Sequence, residues 1–326
     1  MANVSPEEEF LKLFEKFVQE SSGKTSPSSL YEPVEYILSL GGKKIRPVAL
    51  LLICRLLKGN EVSALNAAYG IELFHNFTLM HDDIMDASDF RRSQASVHKK
   101  FGLNAAILSG DVMLIDSIRF VRTSEEISGA NHLTDLLLQT AKEVCEGQAM
   151  DMEFEMRAIV NMAEYLEMIR LKTAVLLAAS FKLAALISQR PDLADALYEL
   201  GIQAGIGFQL EDDWLDYYSE NPAFGKQHAG DIRRGKKSGL ILELAEQMDS
   251  IEKTEFLDAY QQEKEELKRI KIVEKYLLKF PIREKLKARF LNYKSKSFEL
   301  IKQLNVSDGV RIQLSDFIHQ ILERKK

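Results

Sequence analysis

Apolar residues recur every three to four positions along nearly the whole chain, the period of an amphipathic helix and not the alternation of a strand. The first such segment starts at Ser5 or Pro6 and gathers Phe10, Leu13, Phe14 and Phe17 on one face. A polar stretch, residues 21–29, precedes a short helix that runs to Leu40. Gly41-Gly42 ends that helix and Pro47 suits the first turn of the next, which leaves residues 43–46 in the joint. Long helical patterns follow over residues 62–85, 104–121, 131–156, 162–188 and 191–218. Residues 221–235 are rich in turn formers, and charged amphipathic helices occupy the remainder.

Composition agrees with the periodicity. Seven prolines and seventeen glycines in 326 residues are too few for an all-β chain, which needs a turn every ten or so positions. With 46% apolar and 28% charged residues the chain is an ordinary globular one with ample material for a core. No Gly/Pro/Ser-rich linker divides its middle and no short repeat of the solenoid kind is present. The expectation is therefore an all-α protein of one domain, residues 1–326, built as a single large antiparallel helical bundle.

Charge and cysteine content narrow the function classes. Forty-nine acidic against forty-three basic residues give a net charge of −6, opposite to the sign that global attraction to nucleic acid requires. Cys54 and Cys145 lie far apart, form no CxxC pair and sit in apolar or helical context, so both are expected as buried thiols. The acidic start of the chain differs from the basic start of a signal peptide. No apolar stretch reaches the ~20 residues of a membrane span. A cytoplasmic, non-spanning protein is the expectation.

Candidate chemistry is concentrated in two acidic clusters, Asp82-Asp83-Ile84-Met85-Asp86 and Asp212-Asp213-Trp214-Leu215-Asp216. Each lies near the C-terminal end of a long apolar helix. At 3.6 residues per turn, Asp82 stacks on Asp86 and Asp212 on Asp216. Like charges stacked at the negative pole of a helix are unfavourable twice over. A lone acidic triplet is most simply solvated, but two copies with identical spacing point to a cation that offsets the repulsion. Mg²⁺ suits such oxygen ligands, because it keeps waters and bridges carboxylates to phosphate oxygens.

Basic residues accompany both clusters. Arg91-Arg92 follows the first, Lys226 and Lys236 follow the second, and Lys43-Lys44-Ile45-Arg46 occupies the earlier joint. Taken singly, each is an ordinary surface charge. Metal-binding carboxylates alternating with phosphate-binding Arg and Lys imply a polyanionic substrate, most simply a diphosphate.

These residues resemble the trans-isoprenyl diphosphate synthases, the polyprenyl synthetase family. Glu72-Leu73-Phe74-His75 leading into His81-Asp82-Asp83-Ile84-Met85-Asp86 and Arg91-Arg92 resembles the first aspartate-rich motif of that family. The run from Gly207-Phe208-Gln209 to Asp216 resembles the second. Gly41 to Pro47, Gly147-Gln148, Lys172-Thr173 and Phe224-Gly225-Lys226 through Asp231 to Lys236 fall in the family's order, so the resemblance covers roughly residues 30 to 245.

The resemblance implies a helical bundle around a central cavity, a homodimer formed through long central helices, and a condensation of isopentenyl diphosphate with C5 to C15 allylic diphosphates. It assigns Asp82, Asp86 and Asp212 to three Mg²⁺ ions per site, with Asp83 and Asp216 in support. Arg91, Lys172, Lys226 and Lys236 would neutralise the allylic diphosphate. Lys43, Arg46, His75 and Arg92 would bind that of isopentenyl diphosphate. Lys172, Thr173 and Gln209 resemble catalytic residues whose polar atoms sit near the developing allylic cation. His75, seven residues before Asp82, also projects from nearly the same helix face.

Some positions depart from the family pattern. Ser93-Gln94-Ala95-Ser96-Val97-His98 stands where many relatives have Gly and then Lys-Pro-Thr-Val-His, and Lys237-Ser238-Gly239 replaces a frequent Lys-Thr. Neither change removes a metal ligand. Product length is expected to depend on Phe77 and Thr78, five and four residues before the first aspartate. An aromatic at the farther position alone resembles C20 synthases, so geranylgeranyl diphosphate is expected, with farnesyl diphosphate (C15) as the alternative. The second DDxxD and the basic residues argue against a class I terpene cyclase. Intact carboxylates in both clusters argue against a non-catalytic subunit of a heteromeric synthase. Six histidines without paired ligands argue against a metal-dependent phosphohydrolase.

Overall fold

The structure, a computed structural model, describes residues 6–21, 26–219 and 228–322. It is all-helical apart from one short hairpin, as the periodicity requires. In chain order the helices are α1 (Pro6–Ser21), α2 (Ser28–Ser39), α3 (Ile45–Leu56), α4 (Glu61–Met85), α5 (Val97–Phe101), α6 (Leu103–Ser128), α7 (Leu133–Met156) and α8 (Met162–Ile169). A π-helical turn, Arg170–Ala174, leads into α9 (Val175–Ile187). Then come α10 (Pro191–Tyr218), α11 (Gly230–Arg234), α12 (Gly239–Ala245), α13 (Ser250–Gln262), α14 (Glu266–Lys279), α15 (Arg283–Gln303) and α16 (Asp308–Leu322). The hairpin pairs β1 (Phe90–Arg91) with β2 (Gln94–Ala95), antiparallel.

Two compact units are distinguished, Met1–Thr140 with Ala178–Tyr198, and Ala141–Leu177 with Glu199–Lys326. In the first, α4 is the central element. Its residues 63–74 are buried on every side, which marks an interior helix rather than an amphipathic surface one. Its start is fixed by Asn60, whose side chain accepts from the N–H of Ser63 at 2.9 Å. Polar atoms on this buried helix find partners: Ser63 Oγ donates to the Ser124 carbonyl on α6 at 2.8 Å. The side chains of Phe10 and Phe14 on α1 are likewise buried. In the second unit α12 is buried along its whole length, and α8 begins with a reciprocal capping box between Asn161 and Glu164.

The thiols differ from expectation in one respect. Cys54 is buried against Ser188, and burial pushes its thiol up to about 11. Cys145 is exposed on α7, because it falls on a face of that helix whose neighbours Lys142 and Glu146 are also exposed. No helix of the described residues is long and apolar enough to cross a membrane.

Candidate active site

The first unit carries the first acidic cluster and the candidate basic residues Lys43, Arg46, Arg91 and Arg92. Helix α4 ends at Met85 with Asp86 as its C-cap, so the cluster occupies the last turn. Asp83 is 1% exposed. Arg91 on β1 grips it with both nitrogens of one guanidinium edge, Nε lying 3.1 Å from each oxygen and Nη2 2.6 Å from Oδ1. Asp82 beside it is half-buried and Asp86 is exposed. The hairpin that presents Arg91 turns through Arg92 and Ser93, both with positive φ, 51° and 64°. Arg92 reaches from that turn to the carbonyl of Gly41, in the joint before α3.

That joint and α4 build a cationic nest. Lys43 is exposed at its edge, while Lys44 donates to Glu72 at 2.8 Å. Glu72, itself buried, also accepts from Asn76 at 2.7 Å. Arg46 Nη1 lies 3.2 Å from His75 Nε2. Burial, opposed by the charge of Glu72, brings the Arg46 guanidinium down to about 10. Burial first, then the charges of Arg46, Arg92, Lys44 and Arg91, hold His75 well below the usual imidazole range. His75 is therefore neutral near pH 7 and accepts the Arg46 hydrogen bond. Arg46 Nε is buried without a hydrogen-bond partner, an orphaned cationic donor that suits an incoming phosphate oxygen.

Below the cluster, Phe77 is half-buried, its ring 5.6 Å from that of Phe74 and 4.7 Å from that of His81. Thr78 Oγ1 donates to the His75 carbonyl at 2.8 Å, which turns its hydroxyl back onto its own helix.

The second unit holds a pocket lined by Asp151, Lys172, Thr173, Gln209, Asp213 and Lys236, among others. Lys172 and Thr173 sit in the π turn, where the widened helix presents both of these consecutive residues to the pocket. Helix α7 can approach this turn only because residue 147 is glycine: a Cβ there would stand 2.4 Å from the Lys172 backbone nitrogen. Thr173 Oγ1 lies 3.5 Å from Gln209 Oε1, and Gln209 Nε2 donates to Asp213 Oδ1 at 3.2 Å. The three residues expected near the developing cation are thus neighbours in this pocket.

Asp213, like Asp83, is withdrawn into the fold, but neutral donors hold it in place of a cation. It is buried, accepts the Tyr165 hydroxyl and the Gly239 N–H (2.9 Å), and is pushed up to about 8, chiefly by burial and then by the charge of Asp231. Asp212 is half-buried. Asp216 Oδ2 accepts the Asp231 N–H at 3.0 Å at the start of α11. Lys236 lines the pocket, its carbonyl accepting the Tyr260 hydroxyl at 2.8 Å. The buried Arg269 supports the same segment by donating to the carbonyls of Ile232 and Arg233. Lys226 lies outside the described residues.

No motif marks Asp151, Tyr165 or Arg269, which are single polar residues in helical runs, and Asp213, though part of the second cluster, carries no role among the expected site residues.

The donor set fits Mg²⁺. Only hard carboxylate oxygens are offered, and among the described residues no three or more Asp, Glu, His or Cys converge into a ready-made cage. Mg²⁺ takes one or two carboxylates of this kind and completes its shell with water and phosphate.

Comparison with known proteins gives a consistent result. The family model described as polyprenyl synthetase matches residues 27–277. A geranylgeranyl diphosphate synthase of Methanosarcina mazei is 41% identical over 220 residues, 67% of this chain and 68% of that protein. A geranylgeranyl pyrophosphate synthase of Geoglobus acetivorans is 38% identical over 238 residues, 72% of this chain and 74% of that protein. A crystal structure of a geranylgeranyl pyrophosphate synthase superimposes with a TM-score of 0.91 at 34% identity, covering 99% of this chain and 100% of that one.

Proposed function

The chain belongs to the polyprenyl synthetase family, and on that premise we propose that it joins isopentenyl diphosphate head-to-tail (1′-4) to allylic diphosphates, with Mg²⁺, and stops at the C20 product. One observation carries the reading beyond family membership. In each of two identically spaced clusters the second aspartate is buried and held by protein groups, while the first is half-exposed at the end of its helix. Two carboxylates so withheld, beside two so presented, fit metal ligation better than solvation.

In this reading Asp82, Asp86 and Asp212 hold the metal, three ions when the site is full, and Asp83 and Asp216 support them. Bound Mg²⁺ supplies positive charge to the departing diphosphate. Arg91, Lys172, Lys226 and Lys236 neutralise the same group. The allylic C–O bond can then break with its electron pair leaving on the diphosphate. Lys43, Arg46, His75 and Arg92 hold isopentenyl diphosphate. The neutral His75 and the unpartnered Arg46 Nε support this assignment. The isopentenyl double bond attacks the allylic cation, and a proton is lost to the released diphosphate. Thr173 Oγ1 and Gln209, linked to each other, offer dipoles rather than a nucleophile near the cation. Apolar helices keep water from it.

The C20 limit is supported by Phe77, fixed between Phe74 and His81, with the small Thr78 one turn from Asp82. The names of the compared relatives agree with it. We further propose one functional domain, since the family match runs through both compact units, working as a homodimer in the cytoplasm. Leu108 and Ile115, one heptad apart on α6 and 59% and 63% exposed, support a partner on that helix.

The test is product analysis by mass spectrometry. Purified protein receives labelled isopentenyl diphosphate with C5, C10 or C15 allylic primers, in Mg²⁺ or in chelator. Metal-dependent elongation ending at C20 is expected. Arrest at C15 would move the product to farnesyl diphosphate, a cyclised hydrocarbon would make the chain a cyclase, and folded protein without elongation would point to a partner-dependent subunit.

A further inference from the structure

We infer that Asp151 is a positioning residue that ties Lys172 and Lys236 into one diphosphate-binding pair. The inference rests on the reading above, in which both lysines take the allylic diphosphate. Asp151 Oδ2 accepts from Lys172 Nζ at 2.6 Å, and Lys236 Nζ lies 3.9 Å from the same oxygen. All three side chains are largely withdrawn from water, at 18% exposure for Asp151, 21% for Lys172 and 24% for Lys236.

The two lysines come from distant parts of the chain, the π turn and the segment after α11, and their backbones are already fixed. The π turn rests on Gly147, one helical turn before Asp151 on α7, so one face of that helix both admits the turn and grips its lysine. On the other side, the Lys236 carbonyl is held by Tyr260 and the preceding carbonyls by Arg269. What remains loose in each lysine is its four-carbon stem, and ordering it costs entropy.

Two ammonium groups brought this close also repel each other in a partly dry pocket. A shared carboxylate offsets that repulsion before substrate arrives and sets both charges in the geometry that the diphosphate meets. Without it the stems diverge, and binding must gather them again. Loss of Asp151 makes the pocket more positive, which favours an anion, while loss of positioning disfavours it. The short contact and low exposure of all three groups give the second effect the larger weight.

The experiment compares Asp151→Asn, Asp151→Ala and Asp151→Glu with Lys172→Gln, Lys236→Gln and the doubles of Asp151→Asn with each lysine variant. Inorganic pyrophosphate affinity in Mg²⁺ is measured by calorimetry, and KM by steady-state turnover for the allylic primer and isopentenyl diphosphate separately. Asp151→Asn should weaken pyrophosphate and raise the allylic KM by about tenfold, with the isopentenyl KM unchanged. Asp151→Glu should restore part of the loss. The doubles should lose less than the product of the single losses. Unchanged or tighter pyrophosphate binding in Asp151→Asn and Asp151→Ala, with loss in the lysine variants, overturns this inference alone. Lysine variants that bind pyrophosphate as the wild type does overturn the assignment of the lysines beneath it.

Discussion

Arg91 and Asp83 form a two-pronged ion pair in which a buried carboxylate is held by a guanidinium from the hairpin after α4. Asp82, its neighbour in the same motif, lies half-exposed. Adjacent aspartates should therefore fail in opposite ways. Asp83→Ala removes charge-assisted hydrogen bonds inside the fold and is expected to cost about 2 kcal/mol of stability. Asp82→Ala removes a proposed ligand and a repelling charge, as does Asp212→Ala in the second cluster. Each should lower turnover by orders of magnitude while leaving the urea midpoint nearly unchanged. Turnover and urea unfolding measured on the three variants check this, and retained turnover in Asp82→Ala or Asp212→Ala would sink the metal assignment.

His75 gives the structure a pH dependence of known sign. Burial and four nearby cations hold its folded pKa well below the unfolded value of about 6.5. As pH falls below that value, the unfolded chain takes up a proton that the folded chain refuses. Stability is then lost on the acid side until the folded pKa is reached. His75→Gln should make the decline from pH 6.5 to pH 5 shallower, read from urea unfolding at each pH. An unaltered slope would show that His75 is not held neutral.

Ser93, at a position where the family resemblance leads one to expect glycine, lies in the turn of the hairpin. Arg92 and Ser93 form a two-residue turn in which both have positive φ, a region that costs side-chain-bearing residues and suits glycine. Ser93→Gly is expected to stabilise the protein by about 0.5–1 kcal/mol. The measurement is a shift of the thermal or urea midpoint to higher values, with Arg91 and its contact to Asp83 untouched.

Long helices were legible and non-local bonds were not. Periodicity over residues 62–85 and 191–218 anticipated Glu61–Met85 and Pro191–Tyr218 almost to the residue. The π turn was hidden because residues 162–188 read as one unbroken apolar helix; a single widened turn leaves the spacing nearly intact. The hairpin was hidden because its strands are two residues long and its turn lacks glycine. In the site, spacing identified which aspartates share a face. It could not assign Asp83 to Arg91, Asp213 to Tyr165, or Asp151 to two lysines, because each pairing depends on how separate segments meet.

Gly239, the other departure from the family pattern, is tied to the second cluster. A Cβ there would fall 2.7 Å from Asp213 Oδ2, the oxygen that accepts the Gly239 N–H. Gly239→Ala must push that buried carboxylate away from its donors, at a cost of about 1–3 kcal/mol. Because Asp212 shares the backbone of Asp213, turnover should fall as well. Unfolding and turnover measured together test the link, and an alanine variant with native stability would show that the carboxylate has room to move.

Thr78 offers the most direct control over what the enzyme makes. It lies one turn from Asp82 on the same face of α4, with its hydroxyl bonded to its own helix, so its side chain takes up little space beneath the first cluster. Phe77 is rotated away and packed between Phe74 and His81, which fixes its ring as a boundary. If the growing chain descends along α4 from Asp82, a large ring at residue 78 blocks it earlier than Phe77 does. Thr78→Phe should therefore shift the main product from C20 to C15, with the first condensation rate and the affinity for isopentenyl diphosphate preserved. Phe77→Ala should act in the other direction and let products pass C20. Chain-length analysis of both variants decides the matter: unchanged products in both would place the floor of the pocket on another helix, whereas opposite shifts would assign it to this pair.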